Sequence, residues 1–258
     1  MFGILVLILI ALSVFIFMIF EAKQNNVVKT TLEFDTFPKS FGDIKLFFIS
    51  DIHKRTISQK IIEQVKGKAD LVVIGGDLCE KGVPFSTIKY NISQLKSVAP
   101  TYYVWGNNDY EVDYHELDSL LISEGVIILD NTAAIFESES GDSFSILGID
   151  DLKSGRHRLD FALMDAGTNP SFKILTAHDP EIMKEVTPEQ KIDLVLSGHT
   201  HGGQIRVFGV GLFKRGGIET IGQTKLLISN GYGTTQLPLR LGAPPETHLI
   251  TIQSKSGK

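Results

Sequence analysis

IKLFFISDIH, residues 44–53, carries an apolar run to a serine and follows it at once with an acid and an imidazole. The same construction recurs in DLVVIGGD (70–77), TYYVWGNND (101–109), FKILTAHD (172–179) and IDLVLSGHTH (192–201). Each run is short and rich in Ile, Val, Phe or Tyr, as strands buried on both faces are. Between the first three lie helical patterns. SQKIIEQVKGK (58–68) gathers Ile61, Ile62 and Val65 on one side, and STIKYNISQLKSV (86–98) repeats Ile88, Ile92 and Leu95. Strand, helix, strand, helix, strand predicts an α/β fold with a parallel sheet.

The middle and end of the chain are richer in strand patterns. AAIFES (133–138), FSILGI (144–149), QIRVFG (204–209), KLLISN (225–230) and THLITIQ (247–253) are separated by Gly, Asp and Asn. They predict a second, mixed sheet packed on the first, with helices outside. Residues 40–254 read as one domain, and 21–39 as a connector and first strand region.

The first twenty residues stand apart, with no charged side chain and a single hydroxyl, Ser13. As a helix rising ~1.5 Å per residue they span ~30 Å, the thickness of a bilayer core. A cleaved signal has a basic flank before it, a shorter apolar stretch and a small-residue cleavage site; here no basic residue precedes the span, the apolar stretch is longer, and IFEAKQ (19–24) is a poor cleavage site. Residues 1–20 therefore read as a single-pass transmembrane anchor at the cell membrane. Lys23 and Lys29 beyond the span, opposed by Glu21, leave the side of the membrane open.

Bulk properties narrow the functional classes. The 258 residues suffice for a sizeable core, and a formal charge of −5 offers no basic stripe, so no nucleic-acid partner is expected. One cysteine, Cys79, excludes an internal disulfide and a cysteine-rich zinc site.

In open α/β sheets ligands gather at the carboxyl ends of strands. The polar residues at those ends are Asp51, His53, Asp77, Asn107, His178, His199 and His201. Two carboxylates, an amide oxygen and four imidazoles suit manganese, iron or zinc better than calcium. Seven donors exceed one such ion and match two that share a carboxylate. Asp51 and His53, two apart on an extended chain, would point the same way.

The order D-x-H, G-D, G-N-x-D, a lone His and G-H-x-H resembles the calcineurin-like metallophosphoesterases over residues 44–254. GGQIRVFG and SNGYGTTQLPLRLGAPPE further resemble the bacterial membrane-associated branch, which includes phosphodiesterases and UDP-diacylglucosamine hydrolases. The resemblance implies a four-layer α-β-β-α sandwich of two mixed β-sheets, with the N-terminal transmembrane helix added to it. It also implies two divalent metal ions, Mn2+ first, with Fe or Zn2+ as alternatives. Asp51, His53 and His201 would hold one, Asn107, His178 and His199 the other, and Asp77 would bridge. The implied activity is phosphoester hydrolysis (phosphodiesterase, phosphomonoesterase or pyrophosphatase) with a hydroxide between the ions as nucleophile. The partners expected are a phosphorylated small molecule or lipid-linked phosphate, and the membrane; no substrate-binding residue is assigned.

One position departs. The family writes G-N-H-[DE], and this chain has Asn108 where the histidine stands. Asn donates a hydrogen bond but delivers no proton near neutral pH. The catalytic candidates are thus Asn108 and Asp109, the latter holding the Asn108 amide or capping the turn. The competing reading is a catalytically weakened, membrane-tethered metal- or phosphate-binding protein. His115, His157 and His248 are expected at the surface, Asp150, Asp151 and Asp179 in turns, and Cys79 in packing. Arg240 is left between a substrate phosphate and a structural ion pair.

Overall fold

The computed structural model describes residues 2–255. Its first sheet holds β1 (Val27–Phe34), β2 (Ile44–Ile49), β3 (Leu71–Gly75), β4 (Thr101–Val104), β5 (Ile127–Ile128) and the last strand, β12 (Thr247–Ser254). The second holds β6 (Thr132–Glu137), β7 (Ser143–Gly148), β8 (Phe172–Thr176), β9 (Leu194–Ser197), β10 (Gly217–Ile221) and β11 (Thr224–Ile228). The orders are β1-β12-β2-β3-β4-β5 and β10-β11-β9-β8-β7-β6. Both are mixed. β12 runs parallel to β1 and antiparallel to β2, while β2, β3 and β4 are mutually parallel. In the second sheet β7, β8, β9 and β11 are parallel, and β6 and β10 are antiparallel edges.

Alternation along each strand sorts side chains into layers. Phe47 and Ile49 face a cluster with Ile61, Ile62, Ile88, Ile92 and Leu117, while Leu46 and Phe48 face the other sheet through Phe144, Phe172 and Leu196. Tyr102 and Tyr103 divide between those layers as expected. The outer layer on the first sheet is α2 (Gln59–Val65), α3 (Phe85–Lys96) and α4 (Tyr114–Ser123). On the second it is α5 (Leu159–Ala166), whose Leu159, Ala162 and Ala166 cover Leu147, Leu175 and Val195. The result is the four-layer α-β-β-α sandwich.

Local chemistry sets the helices. Ser58 caps α2 by accepting from Lys60 N, and Gly67 beyond its end adopts φ +71. Asp113 caps α4 through His115 N and Glu116 N. Ile88, Ile92 and Leu95 recur at i, i+4 and i+7 along α3 and are fully buried, so truncating any one of them costs ~2–5 kcal/mol.

Three strand expectations need correction. THLITIQ, expected in the second sheet, is β12 and lies in the first, between β1 and β2. QIRVFG is a loop that makes only isolated bridges, Ile205 with Leu241 and Gly242 and Val207 with Val210. Its Arg206 donates to the Gly202, Gly209 and Phe213 carbonyls, which coils the segment on itself. β10 forms from GIETI (217–221), whose half-exposed edge position leaves little hydrophobic pattern.

The apolar N-terminal segment is a helix, α1 (Phe2–Ala22), long and apolar enough to cross a membrane. Its last turn rests on the domain. Met18 O accepts from Arg240 N at 3.2 Å, and the Glu21 carboxylate accepts from Gly242 N at 3.1 Å.

Candidate metal centre

The carboxyl ends of β2, β3, β4, β8 and β9 meet at one edge of the two sheets. Backbone bonds lace their loops together: Asp51 N donates to Gly76 O at 3.0 Å, Ile52 N to Asp77 O at 2.8 Å, and Gly198 N to His178 O at 2.9 Å. Gly76, at φ +81, lets two loops touch; a Cβ there would meet His178 Nδ1 at 2.7 Å and the Gly106 backbone at 2.9 Å. A side chain on Gly198 would strike the Asp51 carboxylate.

All seven candidate ligands arrive at this edge. Asp51, His53 and His201 bring donor atoms within 4.8 Å of one another, and so do Asp77, His178 and His199. His53 Nε2 lies 3.0 Å from His201 Nε2, and His199 Nδ1 lies 3.0 Å from His178 Nε2. Asp77 joins the groups, since its Oδ2 is 3.1 Å from His178 Nε2 and 3.7 Å from His53 Nε2. Asp77 Oδ1 accepts from Asn108 N at 2.8 Å, which fixes the carboxylate's rotation. Asn107 Oδ1 is buried, with no hydrogen-bond partner among the described residues.

The reason Asp51 and His53 converge differs from the expected one. β2 stops at Ile49, and the two residues sit at φ 54 and 53, outside extended geometry. Asp77, His199 and His201 share this left-handed backbone, at φ 51, 69 and 49. Non-glycine residues rarely adopt it, and it marks positions held by their surroundings.

The imidazole tautomers are set from behind. His178 Nδ1 donates to Gly75 O at 2.8 Å, which turns Nε2 toward the centre. His53 Nδ1 donates to Glu80 Oε2 at 2.9 Å, and Glu80 Oε1 takes Lys54 Nζ at 2.6 Å. A carboxylate behind an imidazole both orients the ring and raises its basicity. Sequence reading missed Glu80; its signal was proximity to Asp77, overlooked because the partner, His53, lies on the loop after another strand.

Burial and charge act together here. Burial alone would raise the Asp77 carboxyl, yet His178, His53 and the Asn108 amide hold it below the usual range. Burial opposes charge on His178, but Asp77 and Asp51 push that imidazole up to about 10. His201 is pushed down to about 3 by burial, then by the neighbouring His53 and Arg240, which keeps it neutral. Burial, then the Asp77 charge, raises Asp109 to about 6.

Asp109 is fully buried and spends its oxygens on Gly106 N at 2.9 Å and Cys79 N at 3.0 Å, so it ties the turn. The Asn108 side chain stands at the edge of the group, with Nδ2 3.2 Å from His53 Nδ1. Cys79 packs in the core as expected. Among the described residues Arg240 forms no ion pair. Its guanidinium is fully buried and donates to the carbonyls of Asn230, Gly233 and Ala243 at 2.6–2.7 Å. His248 is not at the surface: β12 is an interior strand, and the ring sits 3.0 Å from Ser229 Oγ with burial pushing its pKa down to about 4. Asp179 caps the turn at Pro180–Lys184 through Glu181 N.

A cavity of about 330 Å3 opens beside the centre, lined by His199, His201, Ile205, Leu212, Phe213 and Leu237. A larger hollow, about 720 Å3, lies at the opposite ends of β9 and β11 beside Asp193 and Lys225.

Comparison with known proteins agrees with this geometry. A family model described as calcineurin-like phosphoesterase matches residues 44–203. The chain belongs to that family. This phosphoesterase is 43% identical over 239 residues to the uncharacterized protein YpbG of Bacillus subtilis (strain 168), covering 90% of each chain. It is 30% identical to phosphodiesterase YaeI of Escherichia coli (strain K12), covering 84% of each. A Danio rerio transmembrane protein with metallophosphoesterase domain is 30% identical over 90% of this chain, which spans 58% of that relative. Among solved structures, the Haemophilus influenzae NAD nucleotidase superposes with a TM-score of 0.52 at 14% identity, over 74% of this chain and 46% of that one; it shares the fold. The phosphoesterase is a metal-dependent phosphoester hydrolase, its family binds divalent metals, and the two groups around Asp77 offer donors for them.

Proposed function

We propose that the protein is a membrane-anchored phosphodiesterase or pyrophosphatase with a dinuclear centre. Asp51, His53 and His201 hold one ion, Asn107, His178 and His199 hold the other, and Asp77 is shared. The observation that carries this reading is the Asp77 carboxylate, within reach of both groups. The donors fit the ions: Asn107 Oδ1 has no hydrogen-bond partner among the described residues, and the Nδ1–H bonds of His53 and His178 turn both Nε2 atoms toward the centre, where an ion would take the place of a proton. Oxygen and nitrogen donors in this mixture suit Mn2+, Fe or Zn2+ better than Ca2+.

Two bound ions supply acidity that makes water nucleophilic at neutral pH and charge that offsets the phosphoryl oxygens. The chain's own groups do the rest. Glu80 and the Gly75 carbonyl orient the imidazoles, and Asp109 positions the Asn107–Asn108 turn. The Asn108 amide donates a hydrogen bond to a phosphoryl or leaving oxygen and gives it no proton. The preferred leaving group is therefore one that departs as an anion, a phosphate or phenolate. α1 holds the domain at the membrane, where a lipid-linked or small phosphorylated substrate is within reach.

The test uses the full chain in detergent, loaded with Mn2+ and assayed on bis-p-nitrophenyl phosphate and on a nucleoside diphosphate sugar. Two ions per chain with turnover are expected, and Asp77→Asn loses both ions together. Two retained ions without turnover on either substrate would instead favour a phosphate-binding role, which Asn108 motivates. Asp77→Asn keeping both ions at wild-type affinity would end the shared-carboxylate assignment.

A further inference from the structure

A contiguous run of exposed apolar side chains outside α1 stands next to the metal centre. Between Arg206 and Lys214 the chain displays Val207, Phe208, Val210, Leu212 and Phe213, with Phe208 fully exposed and Leu212 92% exposed. Leu237 joins them from the neighbouring segment, 56% exposed. Contiguous apolar patches of this kind mark interaction surfaces.

The loop is built to show these side chains. Val207 N donates to Val210 O at 2.9 Å and Val210 N returns the bond at 3.0 Å, forming a tight turn. Beneath it the Arg206 guanidinium donates to the carbonyls of Gly202, Gly209 and Phe213 at 2.6–2.8 Å. Phe208 is held at φ 52, an uncommon backbone for an aromatic residue, with its ring pointing away from the body. A loop that merely failed to find the core would not be braced in this way.

The location names what covers it. The base of the loop is tied to Leu241: Arg206 N donates to Leu241 O at 2.7 Å and Leu241 N to Gln204 O at 2.9 Å. The residues on either side of Leu241 receive the end of α1, Arg240 through Met18 O and Gly242 through Glu21. The apolar helix and the apolar loop therefore leave the domain at one place. α1 has 21 residues, ~31 Å at 1.5 Å per residue, and a bilayer core is ~30 Å. With α1 across the membrane, the headgroup boundary falls at its last turn, beside the loop. Lys23, exposed just past α1, and Arg215, exposed after the loop, supply cations at that level, where anionic headgroups lie; Lys214 beside them is paired with Glu219.

We propose that residues 207–213 form a bilayer-inserting loop that seats the mouth of the metal centre against the headgroup layer. The cavity between the loop and the centre is lined by His199 and His201 at one end and by Leu212, Phe213 and Leu237 at the other. It connects the membrane surface to the site, so phosphoesters embedded in a bilayer reach the centre ahead of freely dissolved ones. This rests on the reading of α1 as an anchor and of the centre as hydrolytic.

The loop's seat is read by spin labelling of the full chain in vesicles of equal parts phosphatidylcholine and phosphatidylglycerol. Nitroxides go on Phe208→Cys and Leu212→Cys, and on Met164→Cys as an exposed control on α5; Cys79 is buried and stays unlabelled. Labels at 208 and 212 are expected to be accessible to oxygen and shielded from a water-soluble nickel chelate, and the label at 164 the reverse. Accessibility to the chelate at 208 and 212 equal to that at 164 would overturn the proposal. Shielding from both agents would do so too, by placing a protein partner or a second copy over the loop. In a second arm, Phe208→Asp is expected to hydrolyse bis-p-nitrophenyl phosphate within twofold of wild type. Its rate on hexadecyl p-nitrophenyl phosphate embedded in the same vesicles is expected to fall about tenfold or more, from one lost apolar anchor. An equal change on both substrates would refute the access route. Absence of hydrolysis by the wild type on either substrate would strike the hydrolase reading and leave the labelling result standing.

Discussion

Glu80→Gln tests how far the centre depends on what stands behind it. The carboxylate serves two cations or donors at once, His53 Nδ1 at 2.9 Å and Lys54 Nζ at 2.6 Å. The amide has nearly the same shape but one acceptor oxygen, so either the imidazole or the ammonium loses its partner. A hydrogen bond to a charged group contributes ~1.5–3 kcal/mol and a neutral one ~0.5–1.5 kcal/mol. The difference, ~1–1.5 kcal/mol, is ~5–12-fold in an equilibrium constant. Loss of such an outer partner typically weakens metal affinity ~10–100-fold, which agrees at the lower end. The expectation is therefore an approximately tenfold weaker Mn2+ at the ion held by His53. The other ion, whose His178 leans on the Gly75 carbonyl, should change less than twofold. Calorimetric titration of Mn2+ into the metal-stripped full chain resolves the two steps. Both steps unchanged, or both weakened equally, would refute the orienting role of Glu80 and the separation of the two groups.

Asn108→His restores a proton donor: turnover of alkyl phosphodiesters should rise by about tenfold or more, within the ~10²–10⁴-fold range of general acid catalysis, while p-nitrophenyl esters change little. An equal rise on both classes would contradict the leaving-group argument. In the metal-free chain the raised pKa of His178 contributes stability that is present below the unfolded value of ~6.5 and is lost as pH rises through about 10. The urea midpoint after chelation should fall across that window and flatten on adding Mn2+; a flat metal-free profile would show that the Asp77–His178 pair is not coupled to folding. Arg240→Met strips donors from at least three buried carbonyls, a loss of ~3 kcal/mol or more, or about 6–12 °C in the thermal midpoint. A shift below about 2 °C would mean water replaces the guanidinium freely.

The sandwich and the seven candidate ligands were legible because each ligand sits directly after a strand-like run, so pattern and chemistry occur in one short window. The residues that orient them were not. Glu80 meets His53, and Arg240 meets the His201 carbonyl, only after separate loops have been brought together by the sheets. THLITIQ looked like an ordinary strand, and nothing in it told that β12 lies between two neighbours, which takes His248 out of solvent. QIRVFG misled for the converse reason. Its alternating pattern is genuine, but Arg206 satisfies the local carbonyls and removes any need for a strand partner.

The left-handed backbone at Asp51, His53, Asp77, His199 and His201 has a consequence for how metal is acquired. At ~1 kcal/mol or more for each such residue, the fold forgoes ~5 kcal/mol of its stability before any ion arrives. That sacrifice is made once, during folding, so an incoming ion does not have to freeze wandering loops. Loading and stripping should then resemble filling a rigid socket, with circular dichroism unchanged as manganese comes and goes.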